Sequence, residues 1–212
     1  MLDWKLIIKE ETERGGMTSF PTEDGKGIYH YVILPFDSRI KPSFLKAIIQ
    51  GMTTMLKEEI KKASTIVLPE AKAFLLTPIA EATGLDLTLI RKRNYRTPNQ
   101  IVIEQKKAYK DKEGQNYLYC VGLKKDDKVL IVDDFVSSGG TQISTIKSLK
   151  DNGFDIVGAA TVYERGNGIE EVKRQTGHSI KGLVRLEVIN KKLPSGKIVK
   201  RPFVSRIFDT KF

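Results

Sequence analysis

Apolar residues alternate along this chain between short β-branched runs and stretches with helical spacing. The run Ile28-Tyr29-His30-Tyr31-Val32-Ile33-Leu34 predicts a strand. Beyond it, Leu45, Ile48, Ile49, Met52, Leu56 and Ile60 share one face at a spacing of about 3.6 residues, with Pro42 in the first turn where a helix tolerates it. Two strand–loop–helix units follow. The first runs from Thr65-Ile66-Val67-Leu68 through a polar loop into a helix from Pro78 to Thr83, closed by Gly84, and on to the strand Asp86-Leu87-Thr88-Leu89-Ile90. The second opens on Val129-Leu130-Ile131-Val132, a continuous apolar run of the kind buried on both faces of a parallel sheet. Its helix turns Ile143, Ile146 and Leu149 inward and ends at Asp151-Asn152-Gly153, before the strand Ile156 to Val162. This alternation predicts right-handed crossovers and a mainly parallel α/β sheet flanked by helices.

Three segments have another texture. Gln100 to Glu104 and Tyr117 to Val121 predict two strands joined by a polar, lysine-rich tip around Lys110 to Gln115, a long hairpin with a flexible tip. Leu183 to Ile189 and Val204 to Ile207, flanking Leu193-Pro194-Ser195-Gly196, predict a second, small hairpin. Met1 to about Gly27 mixes charge and glycine without a clear period. No repeat, low-complexity tract or linker divides the chain, so the expectation is one domain over 1–212, with a core at about 40–165 and a small hood from the termini, 1–39 and 166–212.

Composition changes this picture little. Hydrophobic residues make up 40% of 212, enough for a sizeable core. No apolar run approaches the ~20 residues of a membrane span, and Met1-Leu2-Asp3-Trp4-Lys5 lacks the layout of a signal peptide, so a cytoplasmic protein with no membrane partner is expected. Cys120 lies in an apolar stretch and reads as a core residue. Charge adds more: 36 Lys and Arg against 26 Asp and Glu give +10. That balance suits a nucleic acid, an acidic lipid or a small polyphosphorylated substrate, and does not choose among them.

The candidate chemistry sits where the second unit leaves its strand. Asp133-Asp134-Phe135-Val136 runs into Ser137-Ser138-Gly139-Gly140-Thr141 and then a helix. Glycines let backbone approach an anion and turn through positive φ. N–H groups of the loop and first helical turn converge where the helix dipole favours negative charge, and Ser137, Ser138 and Thr141 add hydroxyl donors. The predicted cradle lies at the carboxyl end of a parallel strand, where open α/β sheets bind ligands. Asp133 and Asp134 would repel a phosphate, but suit the hydrogen bonds of a diol, directly or through Mg²⁺.

This string resembles the signature of the type I phosphoribosyltransferases: four apolar residues, two acidic, two apolar, then a hydroxyl-Gly-Gly-Thr loop. The resemblance covers roughly residues 40 to 165. It implies that Asp133 and Asp134 hold the ribose hydroxyls of phosphoribosyl pyrophosphate, with Asp134 also counted as catalytic, and that Ser137 to Thr141 hold the 5′-phosphate. Leu68-Pro69-Glu70-Ala71-Lys72-Ala73-Phe74 resembles the pyrophosphate loop of the adenine-specific branch, which implies a cis peptide at Glu70–Ala71. Lys72 stands where that branch has arginine, keeping the charge without the bidentate fork, and Ala73 replaces a glycine. Leu89-Ile90-Arg91-Lys92-Arg93 resembles a further pyrophosphate-contacting string. Strand alternation puts Arg91 and Arg93 together on one side, and these two are the expected contacts.

By the same resemblance the long hairpin is the catalytic loop that closes over the donor. Tyr109 lies near a tyrosine of the adenine branch, Ala108 occupies the place of the preceding glutamate, and Glu104 is the nearest carboxylate. The base would meet Phe36 and the loop Tyr163-Glu164-Arg165-Gly166-Asn167. The implied reaction displaces pyrophosphate from C1 of ribose by a purine nitrogen, adenine giving AMP, in a homodimer that uses Mg²⁺ carried by the substrate with Asp133 as a possible ligand. Hypoxanthine, guanine, xanthine or orotate are the alternative bases. A second alternative is a transcriptional regulator that senses phosphoribosyl pyrophosphate; such proteins usually carry a winged-helix segment, for which the stretch before Ile28 is short, so a nucleic-acid partner is not expected.

Overall fold

A computed structural model describes residues 3–21, 28–104 and 117–211. The chain forms two compact units, one of residues 1–51 with 184–212 and one of residues 52–183.

In the first unit, the charged N-terminal stretch folds into helix α1 (Trp4–Arg14), capped by Asp3, whose Oδ1 accepts from the Lys5 N–H at 2.9 Å. Only Ile8 and Thr12 of α1 are buried, one position per turn, so its apolar stripe is too narrow to stand out in the sequence. The helix lies against the C-terminal strands: Glu13 Oε1 accepts from the Val204 N–H at 3.1 Å. Strands β1 (Met17–Pro21) and β2 (Ile28–Val32) pair antiparallel with Met17 opposite Val32. The strand expected to reach Leu34 stops at Val32, because Pro35, which has no N–H, opens a 3₁₀ turn over Pro35–Asp37.

Helix α2 (Pro42–Met55) follows, with Phe44, Ala47 and Ile48 buried. The helical spacing suggests one helix to Ile60, but the backbone loosens at Leu56 and resumes as a single turn, α3 (Lys57–Ile60). The second unit is then laid down as β3 (Thr65–Pro69), α4 (Ala73–Thr83), β4 (Asp86–Arg91), β5 (Ile101–Glu104), β6 (Tyr117–Cys120), β7 (Lys128–Val136), α5 (Gly140–Asp151), β8 (Asp155–Glu164) and α6 (Gly168–Thr176). Its strand order is β8-β7-β3-β4-β6-β5. The first four strands are parallel and the β6–β5 hairpin is antiparallel, so the α/β architecture expected from the sequence is present.

Helix α4 begins five residues before the expected start at Pro78, which instead lies inside it. Burial of Leu75, Leu76 and Ile79 against the sheet offsets the ~3 kcal/mol cost of an interior proline. Cys120 is fully buried, and burial pushes its thiol up to about 12, which leaves it an inert apolar residue. The long strand β9 (Lys181–Lys192) pairs antiparallel with β10 (Ile198–Ile207), and β11 (Thr210–Lys211) adds a short third strand. The C-terminal hairpin is therefore longer than its apolar runs suggest. Among the described residues no helix is long and apolar enough to cross a membrane.

Candidate active site

The β7–α5 junction builds the site. β7 runs beyond its apolar stretch to Val136, so both aspartates lie on the strand itself. The chain then turns through Gly139 at φ 81°, and α5 starts at Gly140, with the Ile143 N–H donating to the Gly139 carbonyl at 2.9 Å. Asp133, Phe135, Val136, Ser137 to Thr141 and Gln142 line a cradle of about 210 Å³. Its outer wall is the start of α6. A Cβ on Gly139 would stand 2.7 Å from the Gly168 carbonyl oxygen and 2.8 Å from Val172 Cγ2, and one on Gly168 would run into the Ser137 carbonyl. Glycine is thus required at both places, by φ and contact at the first and by contact at the second.

The two aspartates have different surroundings. Asp133 is 5% exposed; its Oδ1 accepts from the Asp134 N–H at 2.9 Å and its Oδ2 from Gln142 Nε2 at 3.0 Å. Burial, and then the neighbouring Asp134 charge, hold the Asp133 carboxyl well above the usual carboxylate range. Asp134 is half-buried and more open to a ligand.

Around the carboxyl ends of β3 and β4, Pro69, Glu70, Ala71, Ile90, Lys92 and Thr141 border a cavity of about 410 Å³ beside the cradle. The expected cis peptide at Glu70–Ala71 is absent: no cis bond occurs among the described residues. Glu70–Lys72 forms a 3₁₀ turn leading straight into α4, a path that trans peptides follow without the ~3–4 kcal/mol cost of a cis bond. Lys72 belongs to that turn, and its side chain lies outside the described part.

The structure separates the cations of the Arg91-Lys92-Arg93 string. β4 turns Leu87, Leu89 and Arg91 toward one face, where they join Tyr95 and Tyr119 around a separate cavity of about 440 Å³. Ile90 and Lys92 take the other, beside Thr141. Arg91 Nη1 donates to the Tyr95 hydroxyl at 3.0 Å and lies 3.8 Å from Glu70 Oε1. β4 ends at Arg91, so alternation does not extend to Arg93, whose guanidinium sits 5.3 Å from the Tyr95 ring centre. Lys92, two residues after the buried Ile90, is the cation that borders the cavity beside Thr141.

The base-side expectations fare differently. Phe36 is 4% exposed and packs on Phe44 with ring centres 5.5 Å apart, and Tyr163 is fully buried. Neither offers a ring face for stacking. β8 extends through Glu164, pairing Tyr163 with Phe135 and Glu164 with Val136, which draws both residues out of the expected loop and into the sheet. Glu164 is buried, packed so closely by Gly182 that a Cβ there would stand 2.8 Å from its carboxyl carbon. What remains of the loop is Arg165 to Asn167. Glu104, exposed at the end of β5, borders a cavity of about 520 Å³ together with Ser138, Gly140 and Lys147. Tyr109 and the hairpin tip lie outside the described residues.

The arrangement resembles known proteins in both sequence and fold. A family model described as a phosphoribosyl transferase domain matches residues 44–186. The hypoxanthine/guanine phosphoribosyltransferase of Methanococcus maripaludis (strain C7) is 35% identical over 172 residues, covering 79% of this chain and 89% of that protein. Its counterpart in Methanothermococcus okinawensis is 36% identical over 169 residues, covering 79% and 90%. Among solved structures, an adenine phosphoribosyltransferase from Thermoanaerobacter pseudethanolicus superposes with a TM-score of 0.65 at 21% identity, over 84% of this chain and 97% of that one. The Saccharomyces cerevisiae adenine enzyme gives 0.63 at 16% identity, over 86% and 99%. With the family model spanning more than half of its length, the chain belongs to the phosphoribosyl transferase domain family.

Proposed function

We propose that this chain transfers the phosphoribosyl group of phosphoribosyl pyrophosphate to a purine base, releasing pyrophosphate, with hypoxanthine and guanine as its first substrates. The observation that carries the reading is the cradle at the β7–α5 junction, floored by Asp133 and next in sequence to the half-buried Asp134, with a cavity bordered by Lys92 and Glu70 beside it. Backbone N–H groups at the start of α5 and the hydroxyls of Ser137, Ser138 and Thr141 hold the 5′-phosphate. Asp134 accepts hydrogen bonds from the ribose hydroxyls, and Lys92, assisted by Lys72 and Arg91, faces the pyrophosphate.

In the reaction the bond from C1 to the pyrophosphate oxygen breaks, its electron pair leaving with that oxygen, while a base nitrogen bonds to C1 and gives up its proton. The transition state gathers negative charge on the leaving group, so fixed cations there lower the barrier. Mg²⁺, when bound, supplies further positive charge to the pyrophosphate. The half-buried Asp134 would help hold it, since one or two protein carboxylates together with substrate oxygens suffice.

The base preference rests on the relatives above 30% identity, which are named for hypoxanthine and guanine. Adenine, giving AMP, is the second reading, favoured by the fold neighbours at 21% identity and below. Pyrophosphate release measured with Mg²⁺ across adenine, hypoxanthine, guanine, xanthine and orotate separates them. Turnover with hypoxanthine and guanine is expected, turnover with adenine alone moves the assignment to the second reading, and donor binding without turnover on any base points to a sensor instead of an enzyme.

A further inference from the structure

Beside Asp133 stands an amide that the fold holds at a disadvantage. Gln142, in the first turn of α5, is 2% exposed. Its Nε2 donates to Asp133 Oδ2, while its Oε1 is one of two buried side-chain polar atoms among the described residues that have no hydrogen-bond partner. An unpaired buried acceptor costs stability, while the bond made by Nε2 spares Asp133 Oδ2 the same fate, so the two ends of the amide act in opposite senses. A native protein that keeps such a group has a use for its other end.

That use can be traced through named atoms. Gln142 Nε2 and the Asp134 N–H each take one oxygen of Asp133, which fixes the rotation of its carboxylate at the floor of the cradle. The contact from Asp133 Oδ1 to the Asp134 N–H also ties down the peptide that presents the Asp134 side chain. A change at Gln142 is thereby passed to both aspartates, although Gln142 itself need touch no substrate.

We propose that Gln142 is a positioning residue, which locks Asp133, and through it Asp134, in the orientation that the phosphoribosyl donor meets. The proposal rests on the cradle being the donor site.

Loss of donor binding that depends on Asp133 distinguishes this role from a structural one. Gln142→Leu and Gln142→Met in the full chain are compared with wild type by thermal unfolding without ligand, and by calorimetric titration of phosphoribosyl pyrophosphate with Mg²⁺ and no base. Each variant is expected to lower the Tm, because Asp133 Oδ2 loses its donor, and to weaken the donor Kd about tenfold, the scale of one such hydrogen bond. In an Asp133→Asn background, the same substitutions should change the donor Kd less than about twofold, since groups acting as one unit are not additive. A wild-type Kd, or equal weakening in both backgrounds, would overturn the proposal. A wild-type chain that fails to bind the donor would remove the donor reading itself; binding by wild type with no change in the variants removes only the role of Gln142.

Discussion

Two loops leave the carboxyl ends of neighbouring parallel strands, β3 and β7, and they are built in opposite ways. The loop after β7 turns through left-handed Gly139, carries three hydroxyl side chains and is clamped from outside by the first turn of α6. The loop after β3 contains no glycine, crosses in one 3₁₀ turn and leaves Glu70 exposed, 3.8 Å from a half-exposed Arg91. An exposed ion pair of that kind contributes ~0–1 kcal/mol. The β7 loop holds its shape through close backbone contact, so its donors are aligned before a ligand arrives. The β3 loop offers charge without enclosure. On the proposed function, the first region is preorganised for a single phosphate, while the second would serve a leaving group whose charge is spread over more oxygens.

Four substitutions press on this contrast. The largest effect is expected from Gly168→Ala. Alanine is ordinarily the better helix residue by up to ~1 kcal/mol, but here its methyl group meets the Ser137 carbonyl and stands 2.9 Å from Val136 Cγ1. Overpacking of about 3 kcal/mol outweighs that gain, so ribose 5-phosphate affinity should fall ~100-fold with a lower Tm. Affinity close to wild type would show that the cradle yields easily and would dissolve the distinction between the loops.

Asp134→Asn comes next, with phosphoribosyl pyrophosphate binding weakened ~10- to 100-fold and binding of inorganic phosphate unchanged, since the carboxylate serves the ribose and not the cradle. Equal loss for both ligands would assign Asp134 to the loop's shape. Smallest is the pair Lys92→Ala and Arg91→Ala. The donor KM should rise ~3- to 10-fold for Lys92 and less than ~3-fold for Arg91, and both effects should shrink in high salt. The reverse order would return the pyrophosphate contact to the arginine.

How far the sequence revealed these features depends on whether their cause is local. The cradle was legible because one contiguous string carries its strand, acids, glycines and helix start, and each residue type has its own physical reason to be there. The parallel sheet was legible from apolar runs buried on both faces. Helix α1 escaped because it buries one residue per turn, and α6 because its buried positions reduce to Gly168 and Val172. The facing of Lys92 depends on which side of β4 the cavity lies, which alternation alone does not decide. Phe36 and Tyr163 went astray for a related reason: an aromatic residue next to a predicted loop looks exposed until the sheet is seen to continue through it. Nothing in the local string marks Gln142 either, because its partner lies nine residues back, across a turn.

The close fit of Gly139 on Gly168 has a consequence for how this protein can diverge. Gly139 leaves room for the Gly168 carbonyl, and Gly168 for the Ser137 carbonyl of the same cradle, so drift at one narrows what drift at the other can survive. The segment between Glu164, committed to the sheet, and Gly168, committed to the cradle, is only Arg165, Gly166 and Asn167. On the proposed function, base choice on this side would vary through that short interval while the cradle stays fixed, with Gly168 as the boundary between the two.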